Sequence, residues 1–189
     1  KAKQEIEEVD RGKFKAIVSA EYYTGIVDMS AKGSGYIISD DFEDDIFIAS
    51  NNMNKALHGD EVEFYAYKRK HRGKLEGEIT NILKRAKSDY VGVIQIHKNY
   101  AFVVPDNNKM HKDIFVPINK TLKAEDGDKV LVTLEDWPEK ADSPYGKVIK
   151  VLGKPGDHST EIHAILAEYG LPAEFPHEVE EFANTIDTS

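Results

Sequence analysis

KGSGYIISDDFEDDIFIAS, residues 32–50, sets two short apolar runs, Tyr36–Ile38 and Ile46–Ile48, on either side of an acidic loop. Neighbouring side chains on a β-strand face opposite ways. If Ile37 points into a core, Tyr36 points out; if Ile46 and Ile48 point in, Phe47 points out. Strands joined by so short a loop lie side by side, so Tyr36 and Phe47 would share one outer face. The two rings are then either packed beneath a loop or between two domains, or they meet something flat.

The stretch has a counterpart further along, and self-similarity at a fixed period decides an architecture before local propensities do. TGIV at 24–27 returns as VGVI at 91–94, and GYIISD at 35–40 as AFVVPD at 101–106. DIFI at 45–48 returns as DIFV at 113–116, and HGDEV at 58–62 as EDGDKV at 125–130. GEITNIL at 77–83 returns as GKVIKVL at 146–152. The order is kept and the offset stays between 66 and 69 residues. The chain therefore reads as two copies of one fold, 24–85 and 90–153.

Each copy reads as all-β. Strands are expected at Thr24–Asp28, Ser34–Ser39, Asp45–Ala49, Glu61–Lys68 and Leu75–Leu83, with equivalents in the second copy. They are rich in Val, Ile, Tyr and Phe and bounded by Gly, Asn and Asp. Five strands in roughly 60–70 residues suit a small barrel of the OB-fold type. HGD and DGD read as turns into the fourth strand, with Gly supplying a positive φ. The lead-in, residues 1–23, holds one more possible strand in GKFKAIV at 12–18, with Phe14, Ala16 and Val18 on one face. After the second copy, GKPGDHST at 153–160 is a turn-rich linker. A helix follows over Ile162–Tyr169, with Asp157 or Ser159 as its cap and Gly170 as its stop. A further helix is expected at Pro176–Thr185. The fold class is mainly β: two tandem five-stranded barrels and a short helical segment over 154–189.

The chain has 189 residues, 40% of them hydrophobic and 31% charged, as in a globular protein. No apolar run approaches the roughly 20 residues of a membrane helix. The first ten residues are mostly charged and carry no secretory pattern. With no Cys, thiolate metal sites, disulfides and cysteine nucleophiles are excluded. A cytoplasmic location is the expectation, and the start at Lys1 reads as a piece of a longer protein. The net charge of −9 argues at first against a nucleic-acid partner, but its distribution does not. Residues 1–85 hold 14 basic and 16 acidic side chains, residues 86–153 hold 10 of each, and residues 154–189 hold 1 and 8. Both barrels are near neutral and free to carry a basic face.

The second copy repeats the aromatic pattern: Phe102 beside Val103, Phe115 between Ile114 and Val116, and Tyr100 two residues before Phe102. Outward rings at equivalent positions of both copies favour nucleobase stacking over burial, since every base has a face to stack. Here the sequence resembles a known family. KGSGYI at 32–37 and DIFIAS at 45–50 are similar to the two nucleic-acid motifs of cold-shock domains. The tandem pair with its helical lead-out resembles the region ahead of the catalytic domain in ribonuclease R-type exoribonucleases of the ribonuclease II family. The resemblance runs from Gly25 to about Ala183. YAFVVPDNNKMHKDIFVP and GKVIKVLGKPGD carry most of it. It implies a processive 3′-to-5′ exoribonuclease whose magnesium is held by clustered aspartates in a domain absent from this chain. The chain itself is then expected to be inactive, to capture single-stranded RNA and to guide it to the nuclease. Ser34, Ala49 and Ser50 depart from the cold-shock pattern, and the second copy lacks its Lys-Gly start. Two weakened modules can still combine on one strand through effective concentration.

KRKHRGK at 68–74 joins the fourth and fifth strands of the first copy. Its density of positive charge suits phosphate contacts. The expected RNA-binding residues are Lys32, Tyr36, Phe47, Lys68, Arg69, Lys70, Arg72, Tyr100, Phe102 and Phe115. The matching loop of the second copy, EDWPEKADSPYGK at 135–147, is not basic, and Trp137 there reads as a packing residue. DDFEDD at 40–45 reads as a solvated acidic loop, since consecutive loop carboxylates diverge. No catalytic residue, phosphate-binding glycine loop or His-based metal site is expected. Two other readings stay open: a self-contained tandem cold-shock RNA chaperone, and a pair of protein-interaction barrels.

Overall fold

The structure, a computed structural model, describes residues 5–10, 13–17, 21–68 and 75–172. Among the described residues it holds twelve strands, two short 3-10 helices and one α-helix. β1 (Glu5–Asp10) and β2 (Lys13–Ile17) form an antiparallel pair. The expected strand at 12–18 is thus present, with a partner from a stretch that reads as mostly charge. The facing of Phe14 and Ala16, and all of Val18, lie outside the described residues.

β3 (Tyr22–Met29), β4 (Gly35–Ile38), β5 (Ile46–Ile48), β6 (Glu61–Lys68) and β7 (Leu75–Lys84) close into the first barrel. β8 (Asp89–Ile96), β9 (Tyr100–Pro105), β10 (Ile114–Pro117), β11 (Lys129–Asp136) and β12 (Tyr145–Gly153) close into the second. The strand order is the same in both. The third strand pairs in parallel with the fifth, β5 with β7 and β10 with β12, and all other pairs are antiparallel. Mainly β architecture with two closed five-stranded barrels is what the repeat predicts.

Alternation fills each interior. Val27, Met29, Ile37, Ile46, Ile48, Val62, Phe64 and Ile79 are buried in the first barrel. Ile94, Ala101, Val103, Ile114, Val116, Val130, Val132 and Val148 are buried in the second. Each such aliphatic side chain contributes about 1.5–3 kcal/mol on leaving water. Gly77 and Gly146 open the parallel edge. A Cβ at Gly77 would lie 2.8 Å from Ile48 and 3.0 Å from the Tyr65 carbonyl; at Gly146, 2.9 Å from Ile114 and 2.7 Å from the Thr133 carbonyl.

The turns repeat as faithfully as the strands. Gly59 and Gly127 take φ of +84° and +82°. Their N–H groups donate to the carbonyls of Val27 and Ile94 at 2.7 and 2.8 Å. Between the third and fourth strands each barrel has a 3-10 turn, Ser50–Asn52 and Ile118–Lys120. A left-handed pair follows each, Asn54–Lys55 and Leu122–Lys123. Neither is legible in the sequence, because only one of the four residues is of a type that favours positive φ.

α1 (His158–Glu168) starts four residues before the expected helix and ends one before it. Asp157 occupies the N-cap position without a side-chain hydrogen bond; instead the Glu161 carboxylate accepts the Gly156 N–H at 2.9 Å. Gly170 takes φ +65° just past the helix, as a stop signal should. Thr160 and Ala164 are buried against the second barrel. The expected helix at 176–185 lies outside the described residues.

Candidate nucleic-acid interface

Strand pairing builds the site. In the first barrel Tyr36 sits opposite Phe47, and Phe47 is in parallel register with Glu76, which sits opposite Tyr67. In the second, Phe102 sits opposite Phe115, and Phe115 is in register with Tyr145, which sits opposite Asp136. These residues lie on the outer faces, since their strand neighbours Ile37, Ile46, Ile48, Val103, Ile114 and Val116 are fully buried. Pro117, opposite Tyr100, continues the second face along β10.

The rings form clusters. Tyr36 is 48% exposed, and its ring meets that of Phe47 edge-on at 5.5 Å. The second barrel carries more. Tyr100 stacks on Phe115 at 5.9 Å with 25° between planes, and Phe102 is edge-on to both at 5.7 Å. Tyr145 extends the cluster beyond Phe115 at 4.7 Å, and His97 extends it beyond Tyr100 at 4.8 Å. Tyr100 and Tyr145 are each 38% exposed, while Phe102 and Phe115 are half-buried. The cluster keeps apolar ring surface exposed while its edges are held by mutual packing.

The expected site residues thus separate into groups. Tyr36 and Phe47 meet on the first barrel; Tyr100, Phe102 and Phe115 meet on the second. Lys32 is exposed in the turn between β3 and β4. Arg69, Lys70 and Arg72, and the side chain of Lys68, lie outside the described residues. Sequence reasoning missed Tyr145 and His97. Tyr145 lies in the stretch 135–147 that reads as a loop, but Gly146 aligns with Gly77 in the repeat, and Tyr145 opens β12. Trp137 is half-buried and donates from Nε1 to the Ala141 carbonyl at 3.0 Å, a packing arrangement.

The margins of the two faces differ in charge. Beside the first cluster, Tyr65 donates its hydroxyl to Glu78, which pushes the phenol up to about 12, and Asn52 donates to the Tyr67 hydroxyl at 3.1 Å. Beside the second, Lys120 and Lys147 reach the Glu135 carboxylate at 2.5 and 3.4 Å. The Lys120 hydrogen bond, joined by Lys147, holds that carboxyl below the usual range. Among the described residues no group of three or more His, Asp or Glu could hold a metal ion. The donor set for the magnesium that the family resemblance implies is therefore not found there. No described helix is long and apolar enough to cross a membrane.

Comparison with known proteins agrees with this geometry. Residues 25–82 match the model of the Ribonuclease B OB domain, and residues 102–176 match the model of the Cold shock domain. The chain belongs with the tandem OB/cold-shock regions of the ribonuclease R type. Ribonuclease R of Aquifex aeolicus is 32% identical over 171 residues, 90% of this chain and 24% of that protein. Ribonuclease R of Acidithiobacillus ferrooxidans is 27% identical over 182 residues, 93% of this chain and 42% of that protein. Among solved structures, Mycoplasma genitalium RNase R in complex with ribose-methylated single-stranded RNA matches with a TM-score of 0.72 at 26% identity. It covers 88% of this chain and 27% of that one. The chain thus spans less than half the length of these ribonuclease R relatives.

Proposed function

We propose that this ribonuclease R-type region captures single-stranded RNA on its outward aromatic faces and guides it toward a nuclease domain of the parent protein. The observation that carries the reading is the ring cluster of Tyr100, Phe102 and Phe115. The paired strands β9 and β10 position it, and Tyr100 keeps 38% of its surface exposed. Bases stack on such rings without sequence readout, at about 1–3 kcal/mol per base. Tyr36 and Phe47 add a smaller platform, and Lys32, Lys68, Arg69, Lys70 and Arg72 add phosphate contacts. The parent's reaction would be 3′-to-5′ phosphodiester hydrolysis, with magnesium and its aspartates supplied by residues other than those described. The chain alone then binds RNA without shortening it. Labelled single-stranded RNA incubated with the chain and magnesium should be retarded on a native gel and stay full-length. Shortening from the 3′ end that a chelator abolishes, and that a mock preparation lacks, would show an active site in the chain; absence of retardation would remove the RNA reading.

A further inference from the structure

The two barrels share a backbone plan but differ where the fifth strand meets the third. In the first, the outward residues of β7 are Glu76 and Glu78, and the last residue of the 3-10 turn is Asn52. In the second, the equivalent residues are Tyr145, Lys147 and Lys120. An acidic margin in one copy is thus an aromatic and basic margin in the other. Tyr145 continues the ring cluster at 4.7 Å from Phe115. Lys147, two residues further along the same face of β12, and Lys120, just past the end of β10, flank it. Both lysine side chains are close to half-exposed, 48% and 42%, and Glu135 gathers their ammonium groups at the rim of the cluster.

We infer that the RNA site of the second barrel extends across the β10–β12 seam, with Tyr145 as a further stacking ring and Lys147 and Lys120 as the phosphate grip beside it. The inference rests on reading the Tyr100–Phe102–Phe115 face as an RNA platform. A strand of RNA crossing Phe102 and Phe115 would meet Tyr145 next in the same row. Its backbone would then run past two cations that Glu135 keeps in place. Glu135 competes with phosphate for those cations while holding them on this side of the barrel. The first barrel cannot offer the same path, because Glu76 and Glu78 would repel the backbone there.

Binding of a labelled oligouridylate to the whole chain, with salt varied, tests this. Tyr145→Leu keeps apolar bulk but removes the ring, and should weaken binding at high salt by roughly 5- to 150-fold. Lys147→Gln should leave stacking alone and flatten the slope of log affinity against log salt by about 0.7. Glu135→Gln should tighten binding at low salt, a direction that a merely structural carboxylate would not give. Thermal melting first establishes that each variant is folded. If Tyr145→Leu is not, the two surface substitutions decide the matter. Normal affinity and slope in all folded variants, while Tyr100→Ala and Phe102→Ala weaken binding, would overturn the extension and leave the platform standing. Unchanged binding in Tyr100→Ala and Phe102→Ala as well would remove the platform and the extension together.

Discussion

Asp60 is fully buried, and its carboxylate is met from three directions. The Leu57 N–H donates at 2.8 Å, the Ala86 N–H at 3.0 Å and the Arg85 guanidinium at 2.5 Å. Asp128 repeats the plan with the Glu125 N–H at 2.7 Å and Lys154 at 2.7 Å. Burial pushes the Asp128 carboxyl up, and its partners outweigh burial, so it sits below the usual range. Each aspartate ties the turn before the fourth strand to the residue that leaves the fifth. Asp60→Ala strands a buried N–H and a partly buried guanidinium, and should cost about 3–5 kcal/mol in urea unfolding. Asp128→Ala should cost less, because Lys154 is more than half-exposed and water can take up its charge. Equal costs, or a loss under about 1 kcal/mol for Asp60, would contradict this account. The glycines of HGD and DGD were legible as turns; the aspartates beside them were not, because their partners lie about 25 residues away in the sequence.

α1 is held to the second barrel by a small number of polar contacts around one lysine. Lys129 is buried, and its ammonium reaches Glu161 at 2.7 Å and Asp106 at 3.1 Å. Thr160 donates to the Leu152 carbonyl at 3.3 Å, and Asn107 to Glu168 at 3.1 Å. The Gly156 N–H first, then Lys129, hold the Glu161 carboxyl below the usual range. A carboxyl with a depressed folded value contributes stability above its unfolded value and loses it as pH falls through the folded one. The docking of α1 should therefore loosen in acid below the ordinary glutamate range, and Glu161→Gln should blunt that response. Lys129→Ala should cost about 1–2 kcal/mol, less than a fully buried pair, since both carboxylates remain partly hydrated. Protection of the α1 amides in hydrogen exchange is the readout; unchanged protection in Lys129→Ala would show that the helix does not depend on this lysine. The strands of the first barrel were legible to within a residue or two, because alternation and the internal repeat reinforced each other; β1, in a stretch of mostly charge, and the start of β12 at Tyr145 were not. The helix start was not. Its first turn, His158–Thr160, is polar and reads as linker, whereas Thr160 is buried against the barrel.

The molecule is one fold used twice and specialised differently. The repeat made the architecture legible, and strict alternation made the outward rings legible. What escaped was the parallel pairing of β10 with β12, which brings Tyr145 to Phe115 across 30 residues of sequence. No local pattern marks such a pairing; only alignment of Gly146 with Gly77 does. If RNA stacks on these outer faces, the second barrel supplies the larger share, since its cluster has more rings and Phe115 has Tyr145 beside it across the seam where Phe47 has Glu76. The most direct measurement compares Tyr100→Ala with Phe102→Ala in one chain against Tyr36→Ala with Phe47→Ala in another. Circular dichroism first confirms that both are folded. Single-stranded RNA affinity is then measured at high salt, where phosphate contacts are screened. A clear loss is expected from both pairs, and the greater loss from the second-barrel pair. A greater loss from the first-barrel pair would contradict the division between the barrels, and negligible losses from both would contradict stacking altogether.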